Sequence, residues 1–515
     1  MQEKLKTVIE QGYRFKGDSI ELGTAVYEGV PIPGIKVKAP LKTFNRHGLI
    51  SGATGTGKTK TLQRLAESLS EKGVSVLVMD IKGDLSGISQ PGTLNEKISE
   101  RASSTGISWN AEKYPVELLT LSNEPGARLR ATVTEFGPIL FSKVLELNDT
   151  QSGVVSLVFK YADDQGLPLL DLKDFRKTLQ FLTNEGKEEI KSTYGSISQA
   201  STSTILRKLI EIEQQGAERF FGEVSFDVND LVKMDDGGKG QISVIRLCDI
   251  QDKPKLFSTF MLALLAEIYS SFPEEGDLEQ PKLCIFIDEA HLIFNDASKS
   301  LLDQVEMIVR LIRSKAVGVF FCTQTPMDIP NSILAQLGLK VQHALRAFTA
   351  ADRKVIKATA ENYPSSDFYK TDELLTQLGI GEAFVTVLGE NGSPTPLVHT
   401  SMSIPRSRMG VISPMEIDSL LKQSTLVQKY NREIDSESAY ELLQAKLNQA
   451  MQVKQTEEVP EQGKKGQAQE KSMIETIASN PMARQVANTV VRELTRGLLG
   501  VLGLRSTGKK GKGWF

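Results

Sequence analysis

The feature that most constrains the fold is a glycine-rich segment at residues 52–59, which reads Gly-Ala-Thr-Gly-Thr-Gly-Lys-Thr. It matches the pattern G-x-x-x-x-G-K-[ST], and it lies between an apolar run at residues 47–51 and an amphipathic stretch from Lys58 to about Lys72. Glycines in this context let backbone N–H groups surround phosphate groups without Cβ clashes. The segment therefore predicts a phosphate-binding loop between a strand and a helix, with a purely structural glycine turn as the alternative.

The residue types in this loop indicate what its lysine and threonine side chains bind. Lys58 is suited to reach the β- and γ-phosphates, and the Thr59 hydroxyl is suited to bind Mg²⁺. We therefore expect ATP and Mg²⁺ as cofactors. The predicted nucleotide-binding residues are Gly52, Ala53, Thr54, Gly55, Thr56, Gly57, Lys58, Thr59, Lys60 and Thr61.

Apolar runs alternate with amphipathic stretches on both sides of a long interruption. Val74–Asp80 is a nearly continuous apolar run, which is typical of a strand buried on both faces. Further strands are predicted at Gln241–Cys248, Lys282–Asp288 and Val317–Thr323, with helices between them. This alternation predicts βαβ units and an α/β fold with a mostly parallel central sheet.

The strand signal is absent between about residues 132 and 236, where the periodicity is helical, and residues 455–471 are polar and charged without aromatics. We therefore expect an all-helical insertion in the core and a linker near the C-terminus. The predicted segments are a short β-rich N-terminal segment (1–47), the first part of the core (48–131), the helical insertion (132–236), the second part of the core (237–425), a C-terminal helix (426–454), the linker (455–471) and a basic amphipathic helical tail (472–515).

Composition excludes several classes of protein. With 515 residues, 40% apolar and 24% charged, the chain is neither wholly disordered nor collagen-like, and three cysteines cannot form a disulfide framework. The N-terminus lacks the apolar core of a signal peptide, and the apolar runs are shorter than the ~20 residues of a spanning helix. We therefore expect a cytoplasmic protein without integral membrane association.

The net charge of −3 hides an uneven distribution. Residues 463–515 contain ten Lys or Arg and three Asp or Glu, a net of +7, so the rest of the chain carries −10. A basic tail can bind nucleic-acid phosphates, although a solvated tail is an equally good interpretation.

Two adjacent acids follow a second apolar strand at residues 283–287. Asp288 is placed to bind Mg²⁺, and Glu289 is suited to orient and deprotonate an attacking water as the catalytic base. The alternative is that the pair merely caps the next helix.

Two arginines and a glutamine complete the candidate catalytic set. Arg310 and Arg313 lie in the last turn of a predicted helix, where they could simply offset the helix dipole. The sharper hypothesis is an arginine finger inserted into the site of the next subunit, which requires a ring. Gln324 follows the next strand and could sense the γ-phosphate. The segment Asp80–Asp84 also follows a strand, and it is equally compatible with a supporting role, a DNA-facing role or a simple turn.

Taken together, these segments resemble the bacterial HerA-like ATPases of the HerA/FtsK superfamily, in a branch long catalogued as a domain of unknown function. The resemblance covers about residues 15–425. It rests on residues 47–62, 80–87 (Asp-Ile-Lys-Gly-Asp-Leu-Ser-Gly), 287–291 (Ile-Asp-Glu-Ala-His), 310–315 (Arg-Leu-Ile-Arg-Ser-Lys), 323–326 (Thr-Gln-Thr-Pro), 336–338 (Gln-Leu-Gly) and 342–349 (Gln-His-Ala-Leu-Arg-Ala-Phe-Thr).

The resemblance implies a RecA-like P-loop core, a homo-oligomeric and hexameric ring, and ATP-driven movement of double-stranded DNA. It makes Lys58 and Thr59 the Walker A pair, Asp288 and Glu289 the Walker B pair, Gln324 the sensor and Arg313 the better finger candidate. A nuclease is a further candidate partner. This chain departs from the family pattern in two ways. Its segment before the phosphate loop is short, whereas HerA proper has a β-barrel there, and it carries a large helical insertion.

A different function is also compatible with the sequence. The apolar face of the predicted helix Val486–Leu504, flanked by arginines, could lie on an anionic membrane surface or pack on protein. The alternative is therefore a P-loop ATPase that remodels protein complexes or acts at a membrane surface without DNA.

Overall fold

The computed structural model describes residues 1–251, 253–276, 278–294, 299–434 and 436–457. The chain forms two compact units. The first contains residues 1–129 and 226–432, and the second contains residues 130–225 and the described residues from 433 onward. Across the described ranges, every helix is too short or too polar to cross a membrane. The predicted basic tail, and the predicted linker beyond residue 457, lie outside the described residues.

The first unit is built on a twelve-stranded sheet. In chain order its strands are β1 (Ser19–Tyr27), β2 (Val30–Pro40), β3 (Gly48–Ser51), β4 (Ser75–Asp80), β5 (Val116–Thr120), β6 (Ala127–Arg128), β7 (Ile242–Arg246), β8 (Leu283–Ile287), β9 (Val317–Thr323), β10 (Leu339–His343), β11 (Glu382–Val387) and β12 (Val398–Met402). Across the sheet they are ordered β2-β1-β12-β11-β10-β3-β9-β8-β4-β7-β5-β6.

The eight strands from β10 to β6 in this order are parallel, and the other four extend the sheet in antiparallel pairings. Strand β3 lies between β10 and β9, and β9 lies between β3 and β8. Because the carboxyl ends of parallel strands meet at one edge, segments that follow β3, β8 and β9 are brought together there. This arrangement confirms the predicted α/β class with a mostly parallel central sheet.

Helices occur in both units. In chain order they are α1 (Gln2–Gly12), α2 (Lys58–Glu71), α3 (Glu96–Thr105), α4 (Val133–Val144), α5 (Asp149–Gln165), α6 (Leu172–Thr183), α7 (Lys187–Thr193), α8 (Gln199–Gln214), α9 (Pro254–Ser271), α10 (His291–Phe294), α11 (Lys299–Ile312), α12 (Asn331–Leu334), α13 (Ala350–Glu361), α14 (Thr371–Leu374), α15 (Pro414–Gln423), α16 (Thr425–Tyr430) and α17 (Ala439–Glu457).

The core of the first unit lies on the parallel strands. Phe286 of β8 and Phe320 of β9 stack with ring centroids 4.7 Å apart, and both are fully buried beside Ile50 of β3. Burying a side chain of this size contributes roughly 1.5–3 kcal/mol. The strands that carry the candidate site are therefore fixed by the centre of the core.

The second unit contains helices α4 to α8 and α17. Its core is aromatic, with Phe141 of α4 packed 4.8 Å from Phe175 of α6 and 5.9 Å from Phe159 of α5, measured between ring centroids. The side chain of Asp174 in α6 accepts a hydrogen bond of 2.9 Å from the backbone N–H of Tyr440, which anchors the start of α17 within the same unit.

The N-terminal segment contains an element that the sequence interpretation missed. Helix α1 precedes the two strands, and its Leu5 and Ile9 are buried in the core of the first unit together with Tyr13. The spacing of four residues between these apolar side chains was the available signal.

Candidate nucleotide-binding site

The glycine-rich segment forms a loop between β3 and α2. Gly52 and Gly57 have φ angles of +150° and +112°, which favour glycine. A Cβ on Gly52 would lie 2.5 Å from the Cβ of His343, so the loop also needs glycine for close packing. The Ala53 N–H donates to the Ala344 carbonyl at 2.8 Å. The loop is thus held against the segment that follows β10.

Lys58 and Thr59 form the first turn of α2 directly after the loop. The Lys58 side chain is buried, and its ammonium donates to the Ala53 carbonyl at 3.2 Å. The positive charge therefore lies inside the curve of the loop, where the helix N-terminus adds its partial positive charge. This arrangement suits the binding of phosphate groups.

The two acids lie directly after β8, at the same edge of the sheet as the loop. Asp288 and Glu289 are both buried, and their Oδ2 and Oε2 atoms find no hydrogen-bond partner among the described residues. Such buried carboxylate oxygens are the ligands that Mg²⁺ prefers. The Asp288 carboxylate and the Thr59 hydroxyl therefore fit a nucleotide-bound Mg²⁺.

The environments of the two acids differ. Burial raises the pKa of Asp288 above its usual value. Burial acts in the same direction on Glu289, but the hydrogen bond and charge of Lys82, with help from His291, outweigh it and lower the pKa of Glu289. Lys82 forms an ion pair with Glu289, and His291 Nδ1 lies 3.2 Å from Glu289 Oε2. The backbone of Glu289 has a φ of +47°, which is uncommon outside glycine.

The segment Asp80–Asp84 therefore supports the acids, because it presents Lys82 to Glu289. The buried Asp80 carboxylate fixes this turn by accepting from the backbone N–H groups of Gly83 at 2.7 Å and Leu85 at 3.0 Å. Burial raises the pKa of Asp80 to about 6. The structure thus shows both a turn and a contact of that turn with Glu289, and a supporting role in catalysis stays a prediction.

Gln324 is exposed and directly follows β9, the strand between the loop strand β3 and the acid strand β8. Its position at the carboxyl edge brings it to the same side of the sheet as Lys58 and Glu289.

The two arginines lie at the opposite edge of the sheet. Helix α11 ends at Ile312, and a short turn of Arg313–Lys315 leads into the start of β9. Arg310 is paired with Glu306 at 3.1 Å, whereas Arg313 is exposed and forms no ion pair within the described part of the chain. The structure thus does not bring these arginines to the chain's own phosphate loop.

The profile of the "Helicase HerA-like C-terminal" family matches residues 29–507. The chain belongs to this family. The "DNA double-strand break repair helicase HerA" of Sulfurisphaera tokodaii is 23% identical to it over 409 residues, which cover 74% of this chain and 68% of the relative. The protein of the same name from Sulfolobus acidocaldarius is 23% identical over 408 residues, with the same coverage.

Among solved structures, the plasmid coupling protein TrwB in complex with a non-hydrolysable ATP analogue is similar, with a TM-score of 0.51 and 15% sequence identity. The alignment covers 78% of this chain and 98% of TrwB. At this identity the similarity concerns the fold alone, and it confirms the RecA-like P-loop class. Through its family, the chain is a P-loop ATPase of the HerA/FtsK type, an ATP hydrolase whose cofactors are ATP and Mg²⁺.

Two residues next to the loop of this HerA-like chain were missed by sequence reasoning. Arg101 of α3 donates to the carbonyl groups of Ile380 and Gly381, and the Gly381 N–H donates to the Thr56 carbonyl at 2.8 Å. Arg101 thereby supports the phosphate loop indirectly, through the segment that contains Ile380 and Gly381. No motif surrounds Arg101 in the sequence, so only the fold reveals this contact.

His343 is the second missed residue, although it lies in the segment 342–349 that carries part of the family resemblance. Its Nε2 accepts from the Thr61 hydroxyl at 2.9 Å, and its Nδ1 donates to the Glu382 carbonyl at 2.9 Å. Burial lowers the pKa of His343 to about 3. A neutral histidine therefore links α2 to the end of β10 beneath the phosphate loop.

Proposed function

We propose that this chain is a ring motor that couples Mg-ATP hydrolysis to movement on double-stranded DNA. The observation that carries the proposal is the convergence of the phosphate loop, the acid pair and Gln324 at one edge of the sheet, which follows from the order β3-β9-β8. Phosphoryl transfer needs these groups positioned around one phosphate.

The proposed roles follow from this placement. Residues 52–61 bind the nucleotide, with the Lys58 ammonium on the β- and γ-phosphates. Thr59 and Asp288 hold the Mg²⁺, which neutralises charge on the phosphates when it is bound. Glu289 is the base that orients and deprotonates the attacking water, and Gln324 contacts the γ-phosphate or that water.

The proposal requires further copies of the chain. Arg313 lies at the opposite edge of the sheet from the chain's own loop, so it can contribute only to the site of a neighbouring subunit. A head-to-tail contact of this kind forms a ring when the rotation between subunits closes, and we propose that it closes as a hexamer. In this hexamer, the Arg313 guanidinium of each subunit stabilises negative charge in the transition state at the neighbouring subunit's site.

Duplex DNA is the proposed substrate because the curated relatives are named as helicases of DNA double-strand break repair. A nuclease partner stays a prediction from the family resemblance. Backbone binding of DNA releases counterions, so a DNA effect on the motor must weaken as salt rises.

The test is the steady-state ATPase rate with and without duplex DNA at about 50 mM and about 200 mM salt, a range over which phosphate-dominated binding weakens strongly. We expect stimulation by DNA at low salt and loss of that stimulation at high salt. An active ATPase that ignores duplex DNA at both salt concentrations would contradict the DNA substrate. Glu289→Gln under the same conditions controls for contaminating ATPases.

A further inference from the structure

A basic cavity opens at the edge of the sheet opposite the phosphate loop. Its volume is about 520 Å³, and its lining contains four Arg or Lys side chains, one histidine and no carboxylate. The residues that matter here are Arg46, His47, Arg310, Arg313 and Lys340. Arg46 and His47 precede β3, Lys340 lies near the start of β10, and Arg313 precedes β9. The cavity therefore gathers charge from the start of three adjacent parallel strands.

None of the described residues neutralises the charge of Lys340. Its side chain is half-buried and makes no hydrogen bond or ion pair with any of the described residues. Burial lowers the pKa of Lys340, because an ammonium loses hydration there without gaining a carboxylate. A partly desolvated cation costs free energy unless an anion approaches it.

His47 adds no positive charge to the cavity near neutral pH. Its Nδ1 accepts a hydrogen bond of 3.0 Å from the backbone N–H of Val319, so the ring is held in its neutral form. Burial, together with the charges of Arg313 and Arg46, lowers the pKa of His47 to about 4. Arg310 is paired with Glu306, but Arg313 and Lys340 form no ion pair with the described residues, so they leave positive charge in the cavity that fits an anionic ligand.

The chain's own nucleotide cannot be that ligand. Strand β3 has four residues, and it separates the cavity from the phosphate loop. Lys340 pairs in register with Leu49, which lies three residues before Gly52. At ~3.3 Å per residue, about 10 Å of chain separates Lys340 from the loop, which is beyond the reach of the Lys340 side chain. A second copy that presents its loop edge to this edge would supply phosphates at the cavity. An arginine guanidinium is planar and can bind two phosphate oxygens at once, and a lysine ammonium attracts them as a point charge. The lining therefore suits a polyphosphate.

We propose that this cavity binds the phosphate groups of the nucleotide held by a second copy of the chain, with Lys340 contacting them beside Arg313. The inference rests on the proposed ring. It adds Lys340 to Arg313 as a second cation that acts on the nucleotide of a neighbouring subunit. It does not depend on DNA.

The test is complementation between two inactive variants. Lys340→Met keeps the apolar stem and its own phosphate loop, and Lys58→Ala keeps the cavity but loses nucleotide binding. We expect Lys340→Met to bind a fluorescent ATP analogue like the unmodified chain while hydrolysing ATP at least tenfold more slowly. In an equal mixture, about one interface in four joins an intact loop to an intact cavity, so hydrolysis should recover to about a quarter of the unmodified rate.

Controls separate the outcomes. Lys354→Met removes an exposed lysine on α13, outside the cavity, and should keep full activity. Light scattering with nucleotide confirms that the variants and their mixture assemble. Unchanged hydrolysis by Lys340→Met, failure of assembled mixtures to recover activity, or an unassembled Lys340→Met chain would each overturn the phosphate role. All measurements omit DNA, so a wrong DNA substrate leaves this result intact.

Discussion

Lys82 forms an ion pair with Glu289, and the two residues follow strands β4 and β8, which pair in parallel in the middle of the eight parallel strands. Each residue lies just beyond the carboxyl end of its strand, so strand pairing itself brings the ammonium to the carboxylate. The proposed base is therefore restrained by a residue about two hundred positions away in the sequence.

The first prediction concerns this restraint. Lys82→Met should raise DNA-free ATP turnover about two- to fivefold, because a carboxylate released from an ammonium is a stronger base. Steady-state turnover at saturating ATP is the measurement. Lys82→Arg, which keeps the ion pair, should behave like the unmodified chain. A loss of turnover in Lys82→Met comparable to that of Glu289→Gln would show that Lys82 acts directly on the nucleotide instead.

Glu289→Gln should bind ATP normally and hydrolyse it about 10²–10⁴-fold more slowly, because the amide cannot accept the proton of the attacking water. Single-turnover hydrolysis measures the chemical step, and a fluorescent ATP analogue measures binding. Lys58→Ala is the matched control, since it should lose binding as well. Normal single-turnover hydrolysis by Glu289→Gln would exclude Glu289 as the base.

Arg101→Ala should weaken nucleotide binding several-fold without touching the loop. Arg101 holds the carbonyl groups of Ile380 and Gly381, and Gly381 in turn binds Thr56. Loss of charged hydrogen bonds should also lower the free energy of unfolding by about 2 kcal/mol. Nucleotide titration and urea denaturation are the measurements, with the exposed Arg14→Ala as control. Unchanged ATP affinity together with lowered stability would assign Arg101 a structural role only.

Acid should destabilise the first unit through its buried histidines. The pKa of His47 is lowered to about 4, whereas an unfolded histidine has a pKa near 6.5. Between these values the unfolded chain binds more protons than the folded one, so stability present at pH 7 is lost as pH falls below about 6.5.

From pH 7 to pH 5 the loss from His47 is about 2 kcal/mol. His47→Asn keeps an acceptor for the Val319 N–H. Between pH 7 and pH 5, its free energy of unfolding should fall by about 2 kcal/mol less than that of the unmodified chain, as measured by urea denaturation. The comparison cancels the opposite contribution of Asp80, whose raised pKa favours the folded state as pH falls. Equal pH dependence of the two proteins would contradict the buried neutral histidine.

Much of the site could be predicted from sequence because its signals are local. The glycines of the loop, Lys58, Thr59 and the acid pair each occupy a short segment whose chemistry requires that spacing, and the apolar runs before them predicted β4, β8 and β9 to within about two residues. Helix α1 was missed because the prolines and short apolar pieces that follow it suggested only β structure. Two of the four antiparallel strands, β1 and β2, lie in the predicted β-rich segment. The antiparallel pairing of all four could not be predicted from local patterns, because pairing depends on residues far apart in the chain.

The sequence by itself determined the class of fold, the phosphate loop and the residue types that act on a nucleotide, because these depend on short-range spacing and strand–turn–helix periodicity. Tertiary structure alone decided which of these residues meet. Strand order places Lys82 on Glu289 and puts Arg313 at the opposite edge from the loop. It also gathers Lys340 with Arg313 into a cavity without a carboxylate. The physical reason is that parallel strands collect distant segments at their ends, and no local pattern encodes which strands become neighbours.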